Sequence, residues 1–405
     1  MLLCCNPRLQ ITIRIGRGKG CFMKIAVLKE LFAGERRVAL VPANVPQLAK
    51  AKIEVLVESG AGVAAGFPDQ HFTDKGATVV SGLQAAMAAD ILLQVRSAGL
   101  DADAGAAVRN QLRAGQIVIG SCDPLGRPQA IADWAASGAS LFALELIPRI
   151  TRAQSMDVLS SQATIAGYRA ALLAATELPK MFPMMMTAAG TLTAAKAFVI
   201  GAGVAGLQAI ATCRKLGAVV SAYDVRPACR EQVESLGGKF VELPLDASSS
   251  EDKGGYAKAM DEDFYRRQRE LLAGVVAQSD VVITTAAIPG RPSPLLVTAD
   301  AVRGMQPGSV IIDLAAERGG NCELSQPDKR VTEHGVTILG PTNIATDIPH
   351  HASQMLGNNV VKFLINMIKD GMLNLNLEDE IVRDTLVVHH GEVANARVKD
   401  LLAKS

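Results

Sequence analysis

The chain has 405 residues, of which 49% are hydrophobic and 20% charged, with a formal net charge of +1. That length accommodates two or three domains at roughly 150 residues each. The balanced charge and the 4% aromatic content leave neither the basic stripe nor the stacking side chains of a nucleic-acid surface, so no nucleic-acid partner is expected. Seven cysteines without C-x-x-C spacing point to reduced thiols in a cytoplasmic protein, not to a disulfide framework or a zinc site. The most apolar stretch, 184–213, is interrupted by Lys196 and by glycines and does not read as a membrane span.

Residues 1–22 carry Arg8, Arg14, Arg17 and Lys19 but no secretory signal pattern. They read as a disordered extension, with the native start expected at Met23. From 23 to 143, short apolar runs at 25–28, 53–57, 91–95, 117–119 and 141–144 alternate with helical stretches. That alternation is the mark of βαβ units and a parallel sheet. Gly60 and Gly62 have no strand–turn–helix context with a following acid, and they read as a structural turn. Residues 148–162 mix polar, basic and apolar types without a period. Composition leaves two readings open, an interdomain linker or a loop that converges on a ligand. A helix is expected over 164–180, with Ile165, Tyr168, Ala171, Leu172 and Ala175 on one face and Pro179 as breaker.

The organising stretch is 195–206. An apolar run at 197–200 reads as a buried strand. Gly201, Gly203 and Gly206 follow, then a helix at 207–216, then a second apolar run ending at Asp224. The first glycine permits a tight turn, the second lets a pyrophosphate approach the backbone, and the third lets helix and strand pack closely. The helix N-terminus offers unpaired N–H groups to an anion. Asp224 is placed to accept from a ribose 2′-OH, which favours NAD(H), while Arg226 is a residue type that receives a 2′-phosphate. Downstream, a helix at 231–236 and a strand at 239–243 are expected. The acidic, serine-rich stretch 246–263 reads as a mobile lid tipped by Tyr256 or as a solvated loop. Strands are expected at 281–284, 310–314 and 336–339, with a helix at 353–370 capped by Gly371 and a short strand at 385–388.

No acid–base constellation emerges. The six histidines, 71, 334, 350, 351, 389 and 390, have no Cys or carboxylate at ligand spacing, so no metal is expected. A nucleophile elbow and a Walker lysine are both absent. Oxidation of an alcohol or amine needs a proton-transfer residue. Hydride passing directly between two nicotinamide rings needs only positioning.

With these residues in view, the chain from 23 to about 388 resembles the NAD(H)-binding component of proton-translocating NAD(P) transhydrogenases. The specific match is R-I-T-R-A-Q-S-M-D-V-L-S-S-Q at 149–162, which looks like the family's Arg–Gln–Asp loop. Further matches lie at 182–190, 204–212, 231–240, 254–260 and 308–314. Alanine dehydrogenases share the two-domain fold and the pattern at 35–42. The resemblance implies an α/β fold of two Rossmann-like domains with parallel sheets and a cleft between them, the chain crossing over twice. The first domain would be 23–159 with 351–405, and the NAD(H) domain 160–350. Arg149, Gln154, Asp157 and Ser160 would line the nicotinamide end, with Gln154 and Asp157 bringing the two rings together and Ser160 holding the carboxamide. Gly201, Ala202, Gly203, Val204 and Gly206 would form the pyrophosphate turn. Asp224, Val225 and Arg226 would take the adenosine ribose, Gly255 and Tyr256 would sit on a mobile loop, and Gln268 and Ala287 would be further contacts.

The implied partners are membrane-embedded subunits, including a beta subunit that binds NADP(H), and a second copy of this chain. The implied location is the cytoplasmic face of the inner membrane. Alanine dehydrogenases place a substrate lysine and histidine in the first domain. Here the corresponding strand reads L-L-Q-V-R at 92–96, and His71 is the only histidine in 23–159, which counts against amino-acid oxidation. An alanine-dehydrogenase-like enzyme and a catalytically silent NAD sensor stand as the alternative readings.

Overall fold

The computed structural model describes residues 23–97, 105–245, 261–287, 292–369 and 372–404. Residues 1–22, the stretch 246–260 with Gly255 and Tyr256, and the expected cap Gly371 lie outside these. The chain forms two compact units. The first runs to Gln162 and resumes at Ile348, and the second is Ala163–Asp347.

The first unit holds a sheet built from β1 (Met23–Val27), β2 (Ile53–Glu58), β3 (Thr78–Val80), β4 (Ile91–Arg96), β5 (Ile117–Ser121) and β6 (Ser140–Ala143). Its order is β6-β5-β4-β1-β2-β3, all parallel. Beyond β6 the strand Leu386–His389 adds antiparallel, and Glu392–Val393 follows it as a hairpin. Alternation along the strands fills both faces. Ile25, Val27, Ile91 and Leu93 enter one buried cluster, while Ala26, Leu28 and Leu92 enter the other. Covered faces of this kind make the strands read as continuous apolar runs.

The second unit is entered along α1 (Val158–Glu177). A small antiparallel hairpin, β7 (Met185–Thr187) and β8 (Gly190–Leu192), precedes the main sheet. That sheet comprises β9 (Lys196–Ile200), β10 (Val219–Tyr223), β11 (Lys239–Phe240), β12 (Val281–Thr284), β13 (Val310–Asp313), β14 (Arg330–Glu333) and β15 (Val336–Leu339). The order is β11-β10-β9-β12-β13-β15-β14, and only the edge strand β14 runs antiparallel. Ala197 and Val199 pack into one cluster with Ala170, Ala171 and Ala174 of α1, and Phe198 and Ile200 pack into the opposite one. Full burial of each large side chain is worth about 1.5–3 kcal/mol, so β9 anchors the unit. The helices α2 (Val204–Lys215) and α3 (Glu262–Ala277) belong to this unit, and α4 (Pro349–Met367) returns the chain to the first.

Several boundaries differ from the sequence reading. The helix expected at 164–180 begins at Val158, because Asp157 caps it through the Ser160 amide. The helix expected at 353–370 begins at Pro349, whose fixed φ suits the first helical position. The strand expected at 239–243 is only Lys239–Phe240.

Candidate functional site

In both sheets the strand order reverses beside the first strand, between β9 and β12 in the second unit and between β1 and β4 in the first. Ligands of open α/β sheets bind outside the carboxyl ends of strands at such a switch point. In the second unit the glycine turn occupies it. Gly201 adopts φ +97°, and a Cβ there would lie 2.7 Å from the Thr285 Oγ1 that follows β12. At Gly206 a Cβ would meet the Gly201 carbonyl oxygen, whereas at Gly203 it would meet no atom of the described residues within 4 Å. Gly203 is also the N-cap of α2, and no side chain caps it. A turn closed on two sides and open at its middle glycine fits a pyrophosphate over a helix N-terminus.

Asp224 lies at the end of β10 and is buried, 8% exposed. Its Oδ2 accepts from the Ala202 amide at 2.7 Å and from Arg226 Nη2 at 2.9 Å. Its Oδ1 accepts from the Arg226 amide and Nε, both at 2.9 Å. The Ala202 amide thereby fastens the glycine turn to β10. The Arg226 guanidinium is neutralised by the carboxylate beside it, and that carboxylate repels a 2′-phosphate.

Gln268, on α3, is buried to 2% and donates to the Tyr223 hydroxyl at 2.8 Å. It thus supports the residue preceding Asp224, and its Oε1 has no hydrogen-bond partner among the described residues. Burial pushes the Tyr223 hydroxyl up to about 12, so it stays protonated. Ala287 is exposed just past β12. Neighbouring Thr285 donates to the Gly201 carbonyl at 3.0 Å, and Asn321 brackets Ala286 through its amide N–H and carbonyl. Fully buried Asp313 collects Thr284 Oγ1 and the amides of Ala315, Asn321 and Cys322. Sequence reading missed Thr285, Asp313 and Asn321. The available signal was a carboxylate closing an apolar strand run at 310–313.

The other expected residues lie in the first unit, on 149–162. Thr151–Met156 is a 3-10 helix and Asp157 precedes α1. Asp157 Oδ1 accepts from the Ser160 amide at 2.9 Å and Oδ2 from the Ser160 hydroxyl at 2.6 Å. This is N-cap geometry. The Ser160 hydroxyl therefore donates to Asp157, and a hydroxyl oxygen that donates is also an acceptor type. Arg149 and Gln154 are exposed. The structure thus joins Asp157 to Ser160, and separately joins Gly201, Ala202, Asp224 and Arg226.

The histidine pairs have packing roles. His350 stacks on Phe67 with centroids 4.2 Å apart, and His389 Nδ1 lies 2.9 Å from Ser140 Oγ. Among the described residues no group of three His, Cys, Asp or Glu gathers at metal-ligand geometry. Cys122, Cys213, Cys229 and Cys322 are buried, and no disulfide joins them to one another.

Residues 26–166 match the family described as "Alanine dehydrogenase/PNT, N-terminal domain", and residues 170–396 match "Alanine dehydrogenase/PNT, C-terminal domain". The chain belongs to the alanine dehydrogenase/PNT family. Among its relatives is the first part of the NAD(P) transhydrogenase alpha subunit of Rhodospirillum rubrum, 46% identical over 377 residues, 92% of this chain and 98% of the relative. The corresponding protein from Rickettsia prowazekii is 42% identical over 380 residues, 93% of this chain and 98% of the relative. A solved structure, "The crystal structure of transhydrogenase from Sinorhizobium meliloti", superposes with a TM-score of 0.82 at 46% identity, covering 91% of this chain and 99% of that one. Within the alanine dehydrogenase/PNT family, these relatives favour the transhydrogenase reading over amino-acid oxidation and over a silent sensor, and they make this an oxidoreductase-family chain that binds a nicotinamide nucleotide. Their names as alpha subunits imply partner subunits. Among the described residues no helix is long and apolar enough to cross a membrane.

Proposed function

We propose that this chain is the NAD(H)-binding subunit of a proton-translocating NAD(P) transhydrogenase. NAD(H) binds the second unit, Ala163–Asp347, and the resemblance gives Arg149, Gln154, Asp157 and Ser160 to the nicotinamide end. Bound NADH supplies a hydride to NADP⁺ held by a membrane-associated beta subunit, and no proton moves with it at this step. The supporting observation is the use made of Asp157. Both its oxygens accept from Ser160, which fixes the direction of the carboxylate and suits it to positioning. Ser160, its proton engaged, accepts from a carboxamide N–H. Gln154 and Arg149, exposed on the same segment, serve the second ring and phosphate oxygens. The Ala202–Asp224–Arg226 lock favours the unphosphorylated ribose.

The chain would lie on the cytoplasmic face of the inner membrane through its partners, as a homodimer. The exposed apolar hairpin β7–β8 suits the contact between two copies.

The test mixes the purified chain with the NADP(H)-binding domain of a transhydrogenase beta subunit and follows hydride transfer between nucleotide analogues. Transfer that requires both proteins is expected. NADH binding without transfer, or rapid NADH formation from alanine and NAD⁺ by the chain alone, would overturn the reading.

A further inference from the structure

The 3-10 helix Thr151–Met156 is longer than such helices usually run, because their hydrogen bonds are poorly aligned. Contacts from far along the chain hold it. Ala153 and Met156 share a buried cluster with Val360, Phe363 and Met367 of α4. Asn359 Nδ2 donates to the Ser155 carbonyl at 2.9 Å. Arg152 forks onto Asp379 at 2.6 and 3.1 Å and donates to Asn366 Oδ1 at 3.2 Å. Asn366 Nδ2 closes the ring on Asp379 at 3.0 Å. Asp379 in turn caps the helix Glu380–Thr385 through the Ile381 amide, also at 3.0 Å. The Arg152 hydrogen bond, helped by Asn366, holds the Asp379 carboxyl down at about 2 against its partial burial. At the far end of the segment, Gln162 accepts from Arg37 at 2.8 Å and donates to the Ala352 carbonyl at 3.1 Å.

We propose that the Arg152–Asp379 pair is a positioning device for hydride transfer: it sets the rotation of the 3-10 helix and thereby the placement of Gln154 and Asp157. This rests on the transhydrogenase reading above. The coupling is local. The Asp157 amide donates to the Gln154 carbonyl at 3.3 Å, so a turn of the short helix moves both residues together. A displacement near 1 Å at reacting groups costs on the order of a hundredfold in rate. Arg152 is half exposed, at 51%, and an ion pair of that exposure adds little to overall stability. Its geometry is nevertheless a two-pronged fork with a third partner, which fixes direction as well as distance.

The experiment uses the full chain with the beta subunit's NADP(H)-binding domain at saturating nucleotide. Single-turnover transfer and NADH affinity are measured side by side. Arg152→Ala and Asp379→Ala should each slow transfer at least about tenfold, with NADH affinity changed by less than about twofold. The double variant should be no slower than either single one, since the two residues act as a unit. Asp379→Glu, which retains the carboxylate, should recover most of the rate. Unchanged transfer in Asp379→Ala, or an equal loss of transfer and NADH affinity, would overturn the proposal. So would additive single losses. A wild-type chain that binds NADH but transfers nothing would defeat the transhydrogenase reading itself, and this inference with it.

Discussion

At the scale of single residues, Asp157 carries two duties that a substitution can separate. It caps α1 through the Ser160 amide and holds the Ser160 hydroxyl. Asparagine caps a helix about as well as aspartate, but half of its side-chain head is a donor and it carries no charge. Asp157→Asn should leave the thermal midpoint within a degree or two and NADH affinity nearly intact, while transfer to NADP⁺ slows by more than about tenfold. Parallel titration and single-turnover measurements check this, and equal losses in both would contradict a positioning role. The cap itself was hidden in the sequence. A capping box has Glu or Gln at the third helical position, and here that position is Ser160, inside a stretch whose mixed polarity has no period. The Arg152–Asp379 pair was equally invisible, because nothing local links residues 227 positions apart.

At the scale of elements, β9, the glycine turn and α2 were legible because each requirement is local: an apolar run, a residue free to take positive φ, and a helix start. The three glycines nonetheless have different jobs, and alanine distinguishes them. A methyl at Gly206 would collide with the Gly201 carbonyl, while one at Gly203 has open space among the described residues and an ordinary φ of −75°. Gly206→Ala should therefore cost at least about 3 kcal/mol of stability, the upper range for overpacking. Gly203→Ala should lose no more than about 1 kcal/mol, the cost of alanine for glycine at an N-cap, but lose NADH affinity by an order of magnitude or more, since the methyl fills the face a pyrophosphate would approach. Denaturant melts with NADH titrations check both, and full affinity in Gly203→Ala would place the nucleotide elsewhere. The hairpin β7–β8 was not legible, because M-M-T and G-T-L lack apolar–polar alternation. Its Met184, Met186 and Leu192 are 62%, 78% and 48% exposed, and no charged residue lies between Lys180 and Lys196. Exposed apolar patches on this scale mark interfaces. Met186→Lys with Leu192→Lys should shift a dimer to monomers in sedimentation while sparing NADH binding. An unaltered dimer would assign the interface to another surface.

At the scale of the whole molecule, the two units share the order of their six parallel strands but fill their switch points differently. The alternating runs in 23–143 made the first sheet legible, whereas what occupies its switch point was not, because it depends on a single side chain folding back from the loop after β1. Glu30 reaches the end of β4 and accepts from the Val95 amide at 2.6 Å and the Arg96 amide at 3.2 Å. The β4–β5 register shifts between Leu93 and Arg96, beside these amides. A carboxyl thus sits where the second unit offers a glycine turn. Burial pushes the Glu30 carboxyl up to about 8 from an ordinary 4.5; nearby Glu35 adds to the rise, and the two amides and Arg37 oppose it. Below about pH 4.5 the group is neutral both folded and unfolded, and its contribution to stability is fully present. Between 4.5 and 8 the unfolded chain gives up the proton that the folded chain keeps, so stability falls as pH rises. Above 8 the contribution from this group is level. In denaturant titrations the wild-type midpoint should therefore drop between about pH 5.5 and 8.5. Glu30→Gln cannot ionise, and although it leaves one β4 amide poorly paired, its own midpoint should change less over the same interval. Equal slopes in the two proteins would show that another group carries the pH dependence.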